Sequence, residues 1–186
     1  MNEKIIPFSY RTLADKRRAM PTFFTLIGIS ALLVVLSMTV DKYAGIISLL
    51  AVAGLTASTM FYIRYITSDY SYSVREGSDS DAFLIFTKVV GKRQSMMGCL
   101  PLYSIISIQK FTKNELKLHK TEAGYRKYNF AASFSPDAVY MILAKTRTES
   151  FEVIIEGTDE LAARLLEYAA LAKADFKEES DEEEEN

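Results

Sequence analysis

Two apolar runs, 23–40 and 44–66, stand back to back with only Asp41, Lys42 and Tyr43 between them. Neither holds an acidic residue, and Arg64 is the sole charge in either. A helix rises 1.5 Å per residue, so about 20 mostly apolar residues cross the hydrocarbon of a bilayer. Both runs reach that length, and so short a connection makes the two helices antiparallel. The pattern predicts a transmembrane hairpin over 23–67 rather than two core helices, because the remaining chain is too short to wrap helices that are apolar all round. The basic stretch before Phe23 resembles the start of a secretion signal. No small-x-small cleavage pattern follows it, however, and a second span begins at once, so both helices are read as retained.

Flanking charge sets the expected orientation. Lys4, Arg11, Lys16, Arg17 and Arg18 precede the first span, in a basic N-terminal segment over 1–22, whereas the connection offers only Lys42 against Asp41. Lys and Arg favour the cytoplasmic side. Both termini are therefore expected inside a multi-pass protein of the cytoplasmic membrane. The expected interface anchors follow: Phe23, Phe24, Phe61, Tyr62 and Tyr65 at the inner boundary, Tyr43 at the outer one, and Arg64 snorkelling to the inner headgroups. On the second helix Ala53 and Ala57, then Gly54 and Ser58, recur four apart. They predict close packing on the first helix, with dimerisation as the alternative.

After the hairpin the period changes. Tyr70, Tyr72 and Val74 alternate with polar residues, as a half-buried strand does. EGSDSD at 76–81 reads as a turn, 82–90 as a second strand, and GKR at 91–93 as another turn. An extended stretch over 95–111 is expected to bend at Pro101, which cannot donate to a strand ladder. The polar, basic segment 113–127 predicts at most a short strand at 116–118. Clearer strands follow at 128–134, 139–145 and 150–156. Thr158 then reads as an N-cap with Asp159 and Glu160 in the first turn. Leu161, Leu165, Tyr168, Ala169 and Ala172 form one apolar stripe on the helix that follows.

Order and spacing together resemble a family: about seven strands closed by one amphipathic helix is the element order of the pleckstrin-homology fold. The chain is similar to bacterial PH-like membrane proteins in which a two-helix hairpin precedes the domain. The residues carrying the likeness are GKRQSMMGCLPLYSIISI at 91–108 and ESFEVIIEGTDELAARLL at 149–166. The resemblance implies a membrane helical hairpin followed by a mainly-β PH-like domain over 68–174, a bent sheet or partial barrel capped by the C-terminal helix. It also implies a binding or assembly scaffold rather than a catalyst. Phosphoinositide-binding members of the wider fold place basic residues in the first hairpin loop. Taken as that loop, EGSDSD is acidic and would repel phosphate.

Composition narrows the chemistry further. One cysteine, Cys99, excludes an internal disulfide and thiolate metal clusters, and one histidine, His119, excludes multi-histidine sites. No phosphate-binding glycine loop, HExxH, CxxC or GxSxG occurs. Cys99, among Met96, Met97 and Leu100, is expected to be buried, and His119 half-exposed without an acid partner. No catalytic residue, cofactor or small-molecule substrate is expected. Charge is uneven: residues 175–186 hold eight acids and one lysine, net −7, whereas 1–174 hold 21 bases and 16 acids, net +5. The acidic run predicts a disordered tail. Lys88, Lys92 and Arg93, and then Lys110, Lys113, Lys117, Lys120, Arg126 and Lys127, form two basic groups. Their functional reading is contact with the anionic inner leaflet. A net charge of +5 is too modest to favour nucleic acid.

Two functions from different classes fit this pattern. One is a membrane-anchored cytoplasmic module that binds a protein partner or itself through a strand edge or groove. The other is an accessory subunit of a larger membrane complex, assembled through the hairpin. The topology is directly testable. A cysteine placed at Lys42 is expected to react with an impermeant reagent on intact cells, while Cys99 and the C-terminus stay protected until the cells are opened. The opposite labelling pattern overturns the orientation.

Overall fold

The computed structural model describes residues 7–76, 82–121 and 123–184, with side chains as far as Phe176. Strand β1 (Phe8–Thr12) leads into helix α1 (Lys16–Thr39), a 3-10 turn at Asp41–Tyr43, and helix α2 (Ala44–Tyr65). Both helices are long and apolar enough to cross a membrane. At 1.5 Å per residue their 24 and 22 residues measure about 36 and 33 Å. Helix α1 begins seven residues before the apolar run, because Asp15 caps it by accepting from the Arg17 N–H at 3.0 Å. The helices meet where Gly54 lies on Ser30. A Cβ at Gly54 would collide with the Ser30 hydroxyl, and Ser30 and Ser58 are buried. Ala53 and Ala57 are exposed, so only the glycine–serine half of the small-residue pattern packs within the hairpin.

Eight strands follow one another through the described residues, in two sheets. The first has order β1-β2-β3-β4, all antiparallel, with β2 (Ser68–Glu76), β3 (Ala82–Val90) and β4 (Arg93–Pro101). A 3-10 turn at Leu102–Ser104 swings the chain into the second sheet, whose order is β5-β7-β8-β6. Its strands are β5 (Ile105–Thr112), β6 (Tyr125–Asn129), β7 (Ala138–Lys145) and β8 (Ser150–Ile155). β6 lies parallel to β8 and the other pairs are antiparallel. A short helix, α3 (Lys113–Leu118), follows β5, and α4 (Asp159–Glu184) follows β8.

The core sits between the sheets and under α4. Tyr70, Tyr72 and Val74 point inward from β2, Leu84 and Phe86 from β3, and Ile142, Val153 and Ile155 from the second sheet. The expected stripe of α4 supplies Leu161, Leu165, Ala169 and Ala172, with Tyr168 against Phe8 at 5.8 Å. Thr158 accepts from the Leu161 N–H at 3.3 Å, as its capping role requires. A second cluster, Ala131, Val139, Met141 and Ile154, lies on the other face of the second sheet, where Leu116 of α3 packs on it.

The structure differs from the sequence reading at five places. Phe8–Thr12, read as part of an N-terminal segment, is a strand paired with β2 from Phe8↔Val74 to Thr12↔Tyr70. The loop between the first two strands is therefore the apolar hairpin, not EGSDSD, which follows β2 and of which only Glu76 is described. Residues 116–118 are helical because Thr112 and Glu115 form a capping box. The strand expected at 128–134 ends at Asn129, where its side chain accepts from the Ala131 N–H at 2.9 Å and turns the chain. Finally, α4 runs on through the acidic segment to Glu184, with Phe176 stacked on Tyr103 at 4.4 Å; only 185–186 of the expected tail lie outside the described residues.

Leu165 has no exposed surface and Leu166 is 42% exposed. Leu165→Ala is expected to destabilise the chain by about 2–5 kcal/mol and Leu166→Ala by less than about 0.5 kcal/mol. Thermal melting of the two variants side by side checks it; equal effects would remove α4 from the core.

Candidate functional site

The ends of the apolar hairpin enter the sheets through a polar lock. Asp69 accepts from Arg11 Nη2 at 2.8 Å and from the Ala14 N–H at 3.2 Å. The Asp15 N–H donates to the Ser133 hydroxyl at 3.0 Å. Ser133 in turn donates through its N–H and hydroxyl to the Glu156 carboxylate, at 2.9 and 2.8 Å. Thr12 donates to the Glu156 carbonyl at 2.7 Å. Arg18 forks onto both oxygens of Asp137, at 2.7 and 3.0 Å, and onto the Ser135 carbonyl at 2.8 Å. From the other helix Arg64 donates to the Asn129 carbonyl at 2.8 Å and lies over the Tyr70 ring at 4.9 Å. Phe134 packs edge-on against Phe61 and Tyr65, at 4.8 and 5.2 Å. Residues 129–137 are thus clasped from both helix roots. Beneath them Tyr72 donates to the Phe130 carbonyl at 2.9 Å and accepts from the Glu156 N–H at 3.2 Å. Burial pushes its hydroxyl far above the usual tyrosine range, so it keeps its proton.

The other candidate site is an open seam. β4 ends the first sheet and β6 ends the second, and each has a strand neighbour on one side only among the described residues. Between them lies a groove of about 270 Å³ lined by Phe86, Met97, Leu100, Tyr128, Phe130, Phe151 and Val153, with Gly98, Cys99 and Glu149 at its rim. Aromatic rings floor it: Phe86 stacks on Phe130 at 4.5 Å and Phe130 on Tyr128 at 6.3 Å. The register slips between Phe86 and Thr87, leaving Met97 as an extra residue on β4. Such a bulge re-aims side chains, and Met96 and Met97 are 60% and 50% exposed. Cys99 is exposed, not buried as expected, because it stands opposite Ile85, between the inward Leu84 and Phe86, and so lies on the outer face of β4 where it borders the groove. Glu149 is bound by Arg126 at 2.7 Å.

The predicted cations do not form one face. Lys92 and Arg93 flank the turn after β3, whose Gly91 has φ 60°. Val90 pairs with Ser68, two residues after the first loop position past α2, so this turn sits beside the root of that helix. Lys113 is also near the roots, since its N–H donates to the Asp137 carbonyl at 3.2 Å. Lys117 and Lys120 are exposed along and beyond α3, and Lys127 on β6. Lys110 is held by Asp159 at 2.8 and 2.9 Å, and Tyr140 donates to the same carboxylate at 2.5 Å. Of the expected anchors, Phe23 packs on Phe24 and Tyr62 at 5.6 and 5.1 Å, while Tyr43 is exposed at the far turn beside Lys42. Arg64 turns toward the sheets, where the Asn129 carbonyl and the rings of Tyr65 and Tyr70 receive its charge.

His119 does have an acid partner. Its Nε2 lies 3.3 Å from Glu152 Oε2, a carboxylate 1% exposed. The pair sits on the α3 side of the second sheet, where the His119 ring meets Phe111 edge-on at 5.2 Å, and not in the groove. Sequence spacing could not find it, since 33 residues separate the two. The groove was equally hidden: its lining residues read as strand core, and only the topology shows that two sheet edges leave them uncovered.

Two packed sheets closed by a C-terminal helix define a PH-like domain, here with an apolar helical hairpin set between its first two strands. The chain belongs to the family described as Bacterial PH-like domain (DUF6106), whose model matches residues 11–172. No curated protein and no solved structure matches it.

The Arg18 guanidinium, hydrogen-bonded to Asp137, holds that carboxyl below the usual carboxylate range. A carboxyl depressed on folding stabilises the fold above its unfolded value, and that contribution disappears as pH falls through the folded value. Asp137→Asn is expected to lower the melting temperature at neutral pH, with the difference from the parent closing as pH drops below the carboxylate range. A gap that stays constant down to about pH 2 would show that the charge of Asp137 is not what matters.

Proposed function

We propose that this protein is a non-catalytic, bilayer-anchored interaction module. The hairpin crosses the cytoplasmic membrane, both termini lie in the cytoplasm, and the PH-like domain presents its open seam to a protein partner. The observation that carries this reading is the polar lock. A flexible tether would suffice to hold a domain near a membrane, whereas here both helix roots are bonded to residues 129–137. The seam is thereby held at one orientation to the hairpin. Lys92 and Lys113, beside the roots, would lie against the inner leaflet, where each basic group contributes about 1 kcal/mol.

Ala53 and Ala57, exposed four apart on α2, favour the second reading, an accessory subunit docked through its hairpin. One comparison separates the two. The full chain is solubilised from its native membrane, and partners are identified by mass beside Met97→Asp and an Ala53→Trp/Ala57→Trp variant. Loss of the partner with Met97→Asp alone supports the seam. Loss with the tryptophan variant alone supports the accessory subunit. No partner with the parent chain at all would overturn both.

A further inference from the structure

We propose that the seam takes an extended segment of a partner protein, apolar along its length and carrying carboxylates at the end nearest the hairpin. The inference rests on the reading of the chain as an interaction module and specifies the chemistry of its partner. Its first support is the pair of open edges. An extended chain laid along β4 would find unpaired backbone groups for main-chain hydrogen bonds, and alternate side chains would drop into the apolar groove. An exposed methionine at the lip, Met97, supplies an adaptable surface of the kind that accepts varied apolar side chains.

The second support is charge, and it gives the segment a polarity. Tyr70 points inward and stands opposite Lys88 in the β2–β3 register. Side chains directly opposite share a face, and residues two apart on a strand do too. Lys88 is therefore on the groove side with Phe86, as is Arg93, which pairs with Val90. Arg64 lies over the Tyr70 ring and is bonded to Asn129, the residue between the groove's Tyr128 and Phe130. Three cations thus gather at the hairpin end of the seam, and among the described residues none of them forms an ion pair. The one carboxylate of the lining, Glu149, is already bound by Arg126. A basic segment would be repelled from this mouth, and a wholly apolar one would leave Lys88 and Arg93 without a counter-charge. An acidic one completes it.

A lipid is the competing occupant, and geometry disfavours it. With its phosphate at Arg64, a lipid would have to turn its acyl chain back out of the bilayer to reach the groove, giving up the burial the bilayer already provides. The exposed Cys99 at the groove rim, the sole cysteine of the chain, provides the readout. The full chain is placed in nanodiscs of zwitterionic lipid and the alkylation rate of Cys99 is followed. Two synthetic probes are titrated: a ten-residue peptide with two glutamates followed by alternating Val, Phe and Thr, and the same peptide with lysines for the glutamates. The glutamate peptide is expected to slow alkylation and the lysine peptide to leave it unchanged. In a Lys88→Glu/Arg93→Glu chain, both sites exposed or half-exposed, the glutamate peptide's half-saturating concentration is expected to rise about tenfold or more. Equal protection by both peptides, or by neither, overturns the assignment. Protection by anionic nanodiscs without peptide identifies lipid and overturns it too. If neither peptide protects Cys99 while a partner still co-purifies with the parent chain, the seam assignment fails and the anchored module stands.

Discussion

Two helices packed side by side keep their axes about 8–10 Å apart, whereas two paired strands lie about 4.8 Å apart. In this chain the same two segments must satisfy both spacings, because α1 and α2 grow out of β1 and β2. The backbone has to converge within 13–15 on one side and 66–67 on the other. Convergence takes residues out of both ladders, and the backbone groups so released need partners. The polar lock supplies them. Asp69 takes the Ala14 N–H, Ser133 takes the Asp15 N–H, and the last turn of α2 closes with the Ile66 and Thr67 N–H groups both on the Tyr62 carbonyl. Each exposed ion pair at this junction contributes little by itself. Their value lies in sharing partners, since Ser133 and Glu156 connect Asp15 and Thr12 to the end of β8.

From that junction the rest of the architecture follows. β1 gives the first sheet a fourth strand, and Phe8 at its start carries Tyr168 of α4. The residues that clasp the helix roots, 129–137, cannot also continue β6, so that strand stops at Asn129 and its outer edge faces β4 across an unfilled gap. Phe130 goes inward to stack on Phe86, while Phe134 goes to the hairpin. One irregular segment thus joins the hairpin to the domain and shapes one side of the groove.

Local pattern was enough for the hairpin, for β2, β3, β7 and β8, and for α4, because each has a clear period and a marked end. Residues whose role depends on distant partners were not legible. Phe8–Thr12 (FSYRT) alternates too briefly to stand apart from a polar segment, and its strand exists because β2 lies beside it. Leu116 and Leu118 suggest a strand until Thr112 and Glu115 are recognised as a capping box, a signal present in the sequence and overridden by the alternation. The basic groups were legible as charge but not as surface: Lys110 and Arg126 turn out to be tied to Asp159 and Glu149. Cys99 was misplaced because which face of β4 meets the core depends on its register with β3, and there Cys99 stands opposite Ile85, away from the inward Leu84 and Phe86.

An uncovered pair of strand edges beside apolar rings is a liability, since any extended chain can add to it. Natural sheets blunt such edges with positive charge and bulges, and this seam has both: Lys88 and Arg93 on the β4 side, Arg126 and Lys127 along β6, and the slip that makes Met97 an extra residue. These features oppose indiscriminate strand addition. They oppose it unequally, however, because cations repel basic and burden neutral segments while favouring acidic ones. The devices that protect the edge are therefore also the ones that would select its occupant, so protection and specificity rest on the same side chains.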